Sequence, residues 1–207
     1  MQNPWLAIPL GDYEAHMSLP SINQAAMLAD ELELLLEQMS PASLAIIGCA
    51  GGNGLERIKP GQLERLVAVD VNPKYIEHTR DRYAMRLPNL ELHCADVESE
   101  SMQFEPVDLT FAALIFEYVD VPSALRSLKR TSRAGGTLAV LLQLSHPSQG
   151  EVSASRYASL RALEPAMKLI SPQELCREAA AAGFQAARCK TIGLPSGKEF
   201  WLQTFRS

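Results

Sequence analysis

Residues 44–55 read Leu-Ala-Ile-Ile-Gly-Cys-Ala-Gly-Gly-Asn-Gly-Leu, and this stretch constrains the fold more than any other. The apolar run Leu44-Ala45-Ile46-Ile47 predicts a strand buried on both faces. It breaks into residues 48–54, where four of seven positions are glycine. Glycine permits tight turns there and lets a ligand approach the main chain closely. Residues 55–58 then predict a short helix stopped by Pro60-Gly61. Strand, glycine loop and helix together place a nucleotide-like ligand at the carboxyl end of a parallel strand. A loop of this kind taken alone is also compatible with a ligand-free turn. The next strand, residues 66–70, ends in Asp70, where an acid can accept from both ribose hydroxyls. The pair is far more specific than either half.

The remainder of the chain alternates strand and helix. Asn72-Pro73 opens a helix to about Arg86, residues 90–94 form a third strand, and residues 98–105 a polar loop. A fourth strand spans residues 107–114, and a helix from Pro122 to Arg130 ends before Gly135-Gly136. Residues 137–144 are apolar but for Thr137 and Gln143, hence a central fifth strand. Ser171, followed by Glu174, gives a capping-box spacing for a helix that closes at Gly183. Residues 184–192 and 198–205 are strands joined by so short a link that they must pair as an antiparallel hairpin. Such alternation predicts an α/β fold with helices on both faces of the sheet. Residues 145–170 do not fit a simple crossover, and a loop of that length is unusual unless functional. Within it, Tyr157, Leu160 and Leu163 share one side of a helical stretch.

Before the sheet, three prolines within the first twenty residues exclude a long helix, and termini commonly fray. The segment still carries Tyr13, Glu14, His16 and Met17. From Ser21, a candidate cap, a helix presents Leu28, Leu32, Leu35, Leu36 and Met39 as an apolar stripe. Asp30, Glu31, Glu33 and Glu37 then read as its solvated faces.

At 207 residues, 47% hydrophobic and with a net charge of −5, the chain has material for one core and no overall basic footprint for nucleic acid. No apolar run approaches a membrane span, and the first residues lack a secretory pattern. Cys49, Cys94, Cys176 and Cys189 show no paired spacing, which predicts reduced thiols, three of them in or beside apolar runs, in a cytoplasmic protein. Cysteines and histidines are too scattered to predict a metal site.

In that order, the glycine loop, Asp70, Asp96, the strand at Asp108, Gly135-Gly136 and the terminal hairpin resemble a class I S-adenosylmethionine-dependent methyltransferase of small-molecule type. The resemblance covers residues 44–205. It implies a three-layer Rossmann-like sheet of seven strands, mostly parallel, with the last strand antiparallel and inserted beside the fifth. It implies one domain over 1–207: a cap segment and helix (1–40), a cofactor-binding half (44–144), a substrate-covering insertion (145–170), and a helix with hairpin (171–207). The cofactor would be S-adenosylmethionine, with S-adenosylhomocysteine as product. Its contacts would be Gly48, Cys49, Ala50, Gly52, Asp70, Val71, Asn72, Asp96, Val97, Ala112, Ala113 and Leu114. Asp70 would take the ribose diol, Asp96 and the Val97 N–H the adenine, and residues 112–114 the sulfonium. Two positions depart from the family. Ile46 stands where an acid is usual, leaving Glu14 or backbone carbonyls to meet the methionine ammonium, and Ala50 stands where glycine is frequent.

Methyl transfer is a direct displacement that chiefly needs alignment of the acceptor, with a base only when the acceptor arrives protonated. Glu117 and Tyr118, after the fourth strand, have the best claim to that role, with His16, His146 and Tyr157 the other candidates. Tyr13, Met17, Gln143 and Tyr157 are the expected contacts of a small-molecule acceptor, with neither nucleic acid nor membrane as partner. Two alternatives remain: a nicotinamide-dependent oxidoreductase, and a non-catalytic binding module of the same fold. The first is weakened because residues 48–54 do not spell Gly-x-Gly-x-x-Gly.

Overall fold

The computed structural model describes residues 3–145 and 156–207. Its strands are β1 (Ser43–Ile47), β2 (Arg65–Asp70), β3 (Leu90–Cys94), β4 (Val107–Ala113), β5 (Ser132–Gln143), β6 (Gln185–Gly193) and β7 (Glu199–Arg206). They form one seven-stranded sheet in the order β3-β2-β1-β4-β5-β7-β6. The β1, β2, β3, β4 and β5 pairings are parallel, while β7 runs antiparallel to both β5 and β6. The expected inserted seventh strand is therefore present.

Helices α1 (Leu10–Met17), α2 (Gln24–Met39), α3 (Pro73–Tyr83), α4 (Val121–Arg130) and α5 (Pro172–Ala181) complete the α/β fold. Alternate residues of each strand point to opposite faces, and both faces are apolar. Leu44, Ile46, Leu66, Ala68, Leu109 and Phe111 pack with Leu28, Leu32 and Leu35 of α2. Ala45, Ile47, Val67, Val69 and Val140 pack instead with Leu125 and Leu128 of α4 and Leu175 and Ala179 of α5. Between β1 and β4 the strand order reverses. That switch point opens a crevice at the carboxyl ends of the strands, where sheets of this type bind ligands.

Several local expectations change. Helix α2 begins at Gln24 after Asn23 in the left-handed region, so Ser21 does not cap it. Glu31 is not solvated: it is buried and its Oε2 lies 2.6 Å from Lys190 Nζ, because β6 passes over that face of α2. Strand β5 starts at Ser132 and contains Gly135-Gly136 rather than following them. A Cβ at Gly136 would lie 2.8 Å from the Arg133 carbonyl oxygen, which accounts for the residue. Of the cysteines, Cys49 is buried, Cys176 half-buried, and Cys94 and Cys189 are exposed on the outer strands β3 and β6.

The described part of the first segment packs on the core. A 3₁₀ turn, Pro4–Ala7, and α1 lie across the crevice, with Ile8, Leu10, His16 and Met17 buried. A second 3₁₀ turn, Ala158–Leu163, packs Leu160 and Leu163 against Ile8, beside Trp5, Tyr13, Tyr118 and Tyr157. Ser159 Oγ donates to Asp12 Oδ2 at 2.6 Å, tying the two segments together.

Candidate active site

Between β1 and β2 the glycine loop makes its turn with four residues at positive φ: Gly48 at 73°, Ala50 at 47°, and Gly52 and Gly54 at 89°. Ala50 adopts a backbone conformation that favours glycine, and it is held there from both sides. Its N–H donates to Asp70 Oδ2 at 2.9 Å, and its carbonyl accepts from Thr79 Oγ1 at 2.9 Å. Leu114, just past β4, also has positive φ, at 56°. Both strained positions, Ala50 and Leu114, line the same cleft.

That cleft divides into two halves that share Tyr13, Ile47, Gly48, Ala50 and Ala113. One half is lined further by Asp70, Val71, Asp96, Val97, Leu114, Tyr118, Trp5 and Tyr75. Asp70 is buried, with Oδ1 accepting the Asn72 N–H at 2.9 Å and Oδ2 that of Ala50. Burial raises its carboxyl to about 6 in spite of those two donors. Each oxygen keeps a lone pair for a further donor. Asp96 Oδ1 accepts the Glu98 N–H at 2.9 Å in an Asx turn, and its side chain also borders the cleft. The other half is a cavity of about 250 Å³ bounded by Cys49, Gly51, Glu14, Met17, Ser18, Arg82 and Tyr83.

Of the expected cofactor contacts, Gly48, Cys49, Ala50, Asp70, Val71, Asp96, Val97, Ala113 and Leu114 border one half or both. Three do not. Ala112 is fully buried against the α4 face. Gly52 faces Tyr83, whose Cε2 a Cβ would approach to 2.6 Å. Asn72 is turned inward: its Oδ1 accepts from Lys74 N at 3.0 Å, capping α3, and its Nδ2 donates to the Trp5 carbonyl at 2.8 Å.

The expected catalytic and acceptor residues separate in space. Tyr118 lines the first half, edge-on to Trp5 with ring centroids 5.1 Å apart. Tyr13 meets the same indole at 5.5 Å. Glu117 is buried at the ends of β4 and β5, with Oε1 accepting the Gln143 N–H at 2.9 Å and Oε2 unpartnered among the described residues. Burial raises its carboxyl to about 7. His16 is buried on α1, its Nδ1 likewise unpartnered, and its pKa is lowered by burial and by the charge of Lys198. Gln143 Oε1 accepts from Lys198 Nζ at 3.0 Å. Tyr157 precedes the second 3₁₀ turn, its hydroxyl accepting from Arg156 Nη2 at 2.8 Å. His146 lies outside the described residues. Sequence reading missed Trp5, Tyr75 and Arg82. Tyr75, Thr79, Arg82 and Tyr83 recur at helical spacing on α3, a periodicity that marks one face turned to the loop.

Residues 46–140, which carry β1 through most of β5 and this cleft, match the model of a family described as a methyltransferase domain. That family is one of class I S-adenosylmethionine-dependent methyltransferases, and its match takes in just under half of this chain. The chain is also 27% identical over 126 residues to the tRNA 5-carboxymethoxyuridine methyltransferase of Escherichia coli K12. That match takes in 58% of this chain and 48% of the relative, so it spans about half the relative's length. Among solved structures, the N-methyltransferase NodS from Bradyrhizobium japonicum WM9 with S-adenosylhomocysteine superposes with a TM-score of 0.68 at 17% identity, covering 89% and 87% of the chains. The [4+2]-cyclase SpnF gives 0.68 at 14% identity, covering 86% and 80%. At such identities the two structures share the fold alone.

S-Adenosylmethionine, the cofactor of this family, fits the cleft by donor chemistry. The first half offers two carboxylates and no Lys or Arg, which suits a nucleoside with free hydroxyls and an amino group. The glycine loop is followed only by a 3₁₀ turn of three residues, Leu55–Arg57, and so lacks the helix N-terminus that would take a dinucleotide's pyrophosphate. The residues present in the cleft therefore favour the sulfonium cofactor over a nicotinamide one.

Proposed function

We propose that the protein transfers a methyl group from S-adenosylmethionine to a small-molecule acceptor beneath its N-terminal segment. The observation that carries this reading is the closure of the cleft by Trp5, Tyr13 and Tyr118, braced by the 3₁₀ turn Ala158–Leu163. A cover of packed aromatics excludes water and leaves little room for a macromolecular acceptor. In this reading the cap segment through α1 and the turn Ala158–Leu163 of the 145–170 insertion cover the cofactor-binding half (44–144), and residues 171–207 complete a single domain.

When bound, the cofactor supplies a methyl carbon activated by a positive sulfur. The chain's residues supply position. Asp70 accepts from the ribose hydroxyls, Asp96 from the adenine amino group, and the Val97 N–H completes the adenine contact. Ala113 and Leu114 are small or strained enough at the end of β4 to leave the sulfonium face open. For an acceptor that arrives protonated, Glu117, raised to about 7, is poised between its two protonation states at neutral pH. His16, lowered in pKa, is neutral at pH 7 and accepts a proton only through its free nitrogen. The Tyr118 phenol, pushed up by burial, serves as a donor and not as a base.

The E. coli relative takes tRNA as its acceptor by name, which makes RNA the outcome to test against. The net charge of −5 gives this chain no overall attraction for a polyanion. Incubation with methyl-labelled S-adenosylmethionine, a panel of small alcohols, amines, thiols and carboxylates, and bulk tRNA decides the matter. Label in a small acceptor supports the reading; label in tRNA alone refutes the small-molecule acceptor. Stabilisation in a thermal-shift assay by NAD and not by S-adenosylhomocysteine refutes the cofactor as well.

A further inference from the structure

Strand β1 is apolar along residues 44–47, so it presents no carboxylate to the loop that follows it. Charge enters the second half of the cleft from elsewhere. Glu14 of α1 and Arg82 of α3, 68 positions apart, form a two-point ion pair on its wall: Arg82 Nη2 donates to Glu14 Oε2 at 3.0 Å, and Nη1 meets Oε1. Arg82 Nη1 also donates to the Gly51 carbonyl at 3.1 Å. A Cβ at Gly51 would lie 2.6 Å from that nitrogen, so the loop's lack of a side chain there is what lets the pair sit on it. Both side chains remain part-exposed, 35% for Glu14 and 42% for Arg82, which makes the pair easy to rearrange. The wall's other carboxylate, Glu56, is already committed to the Gly54 N–H at 2.9 Å.

We propose that Glu14 and Arg82 are the cofactor's zwitterion clamp, Glu14 receiving the α-ammonium and Arg82 the α-carboxylate of its amino-acid end. An ammonium only donates and a carboxylate only accepts, so a wall that shows one anion and one cation side by side matches a zwitterion in one orientation. Insertion of the ligand between them exchanges one ion pair for an alternating ring of four charges. It also fixes α1 over the glycine loop, because Glu14 is the charged group by which α1 reaches Arg82 and the loop. The site of the ammonium's partner thereby moves from the strand, where Ile46 stands, to the covering segment. This assignment rests on the cofactor reading above.

Isothermal titration with three ligands separates the two. S-Adenosylhomocysteine carries the zwitterion, decarboxylated S-adenosylmethionine keeps only the amine, and 5′-methylthioadenosine has neither. Glu14→Gln is expected to weaken S-adenosylhomocysteine at least tenfold and to change methylthioadenosine less than twofold. Arg82→Gln is expected to weaken S-adenosylhomocysteine tenfold and the decarboxylated ligand less than threefold. The exchange variant Glu14→Arg/Arg82→Glu keeps an ion pair in place should either single variant fail to fold. It is expected to lose S-adenosylhomocysteine and retain methylthioadenosine. Equal losses for all three ligands make the pair a structural tie and overturn the clamp, as does undiminished S-adenosylhomocysteine binding. A wild-type protein that binds none of the three overturns the cofactor reading, and the clamp with it.

Discussion

Asp70 is where sequence, electrostatics and ligand meet. Its carboxylate holds the loop through Ala50 and the start of α3 through Asn72, and it still faces the cleft. Because its folded pKa is raised to about 6, it is protonated in the native state at pH values where the unfolded chain ionises. Its contribution to stability is therefore full below about pH 4 and falls as pH rises toward 6. Ribose recognition has the opposite sign, since the charged acceptor binds hydroxyls better. Affinity for S-adenosylhomocysteine is expected to rise between pH 5 and 7, and calorimetry on Asp70→Asn should show both a loss of tenfold or more, about 1.4 kcal/mol, and a flattened pH profile. Glu117 gives a second linkage. Raised from an ordinary value near 4.5 to about 7, it stabilises fully at acid pH, and its contribution is lost as pH rises through 7. Glu117→Gln, which keeps an acceptor for the Gln143 N–H, is expected to melt higher than wild type at pH 8 and to lose that advantage at pH 5. Thermal melts at the two pH values check it; an equal offset at both excludes titration of Glu117 as the cause.

Among the elements, α3 does more than its length suggests. Its N-cap Asn72 closes the helix through Oδ1 and anchors the covering segment through Nδ2 to Trp5. Farther along, Tyr75 Oη donates to the Ile8 carbonyl at 3.0 Å, Thr79 holds Ala50, and Arg82 meets Glu14. Ser171, the cap of α5, accepts only from Glu174 N, at 3.1 Å. Removing an N-cap costs about 1 kcal/mol. Ser171→Ala should lose about that much and leave cofactor binding unchanged. Asn72→Ala should lose up to about 1 kcal/mol more, for a part-buried carbonyl left without its donor, and should weaken S-adenosylhomocysteine several-fold. Denaturant melts and calorimetry on the two variants test the contrast; identical behaviour would mean that the Trp5 tie does not hold the cover.

For the molecule as a whole, the cover is inseparable from the core. Deletion of residues 1–18 would remove Ile8, Leu10 and Met17, each buried, and uncover partners such as Leu160 and Leu163; burial of such a side chain contributes about 1.5–3 kcal/mol. Point substitution is the cleaner probe. The chain has two tryptophans, Trp5 in the cleft and Trp201 in β7. Binding of S-adenosylhomocysteine is expected to change the intrinsic fluorescence, and Trp5→Phe should abolish that change while the protein stays folded. A response that survives in Trp5→Phe would place the ligand away from the N-terminal segment.

The order of strands and helices, the glycine loop and Asp70 were legible along the chain because each is a local pattern: a period, a turn composition, an acid at a strand end. The hairpin of β6 and β7 was legible too, since residues 194–198 are too short a link for anything else. The insertion of β7 beside β5 followed only from the family resemblance. Tertiary structure alone decided which of the named side chains face the cleft. Ala112 and Ala113 are neighbours in one strand, yet the two-residue period buries the first and opens the second to the ligand. Asn72 follows an acid that lines the cleft, but its capping bond to Lys74 and its tie to Trp5 turn it inward. Glu31 looked like surface until β6, more than 150 residues later, brought Lys190 to it. Glu14 and Arg82 meet only because α1 folds back over a glycine with no side chain to keep them off. Periodicity fixes what one element does with its own residues; contacts between residues far apart in the chain are set by packing, which no local pattern records.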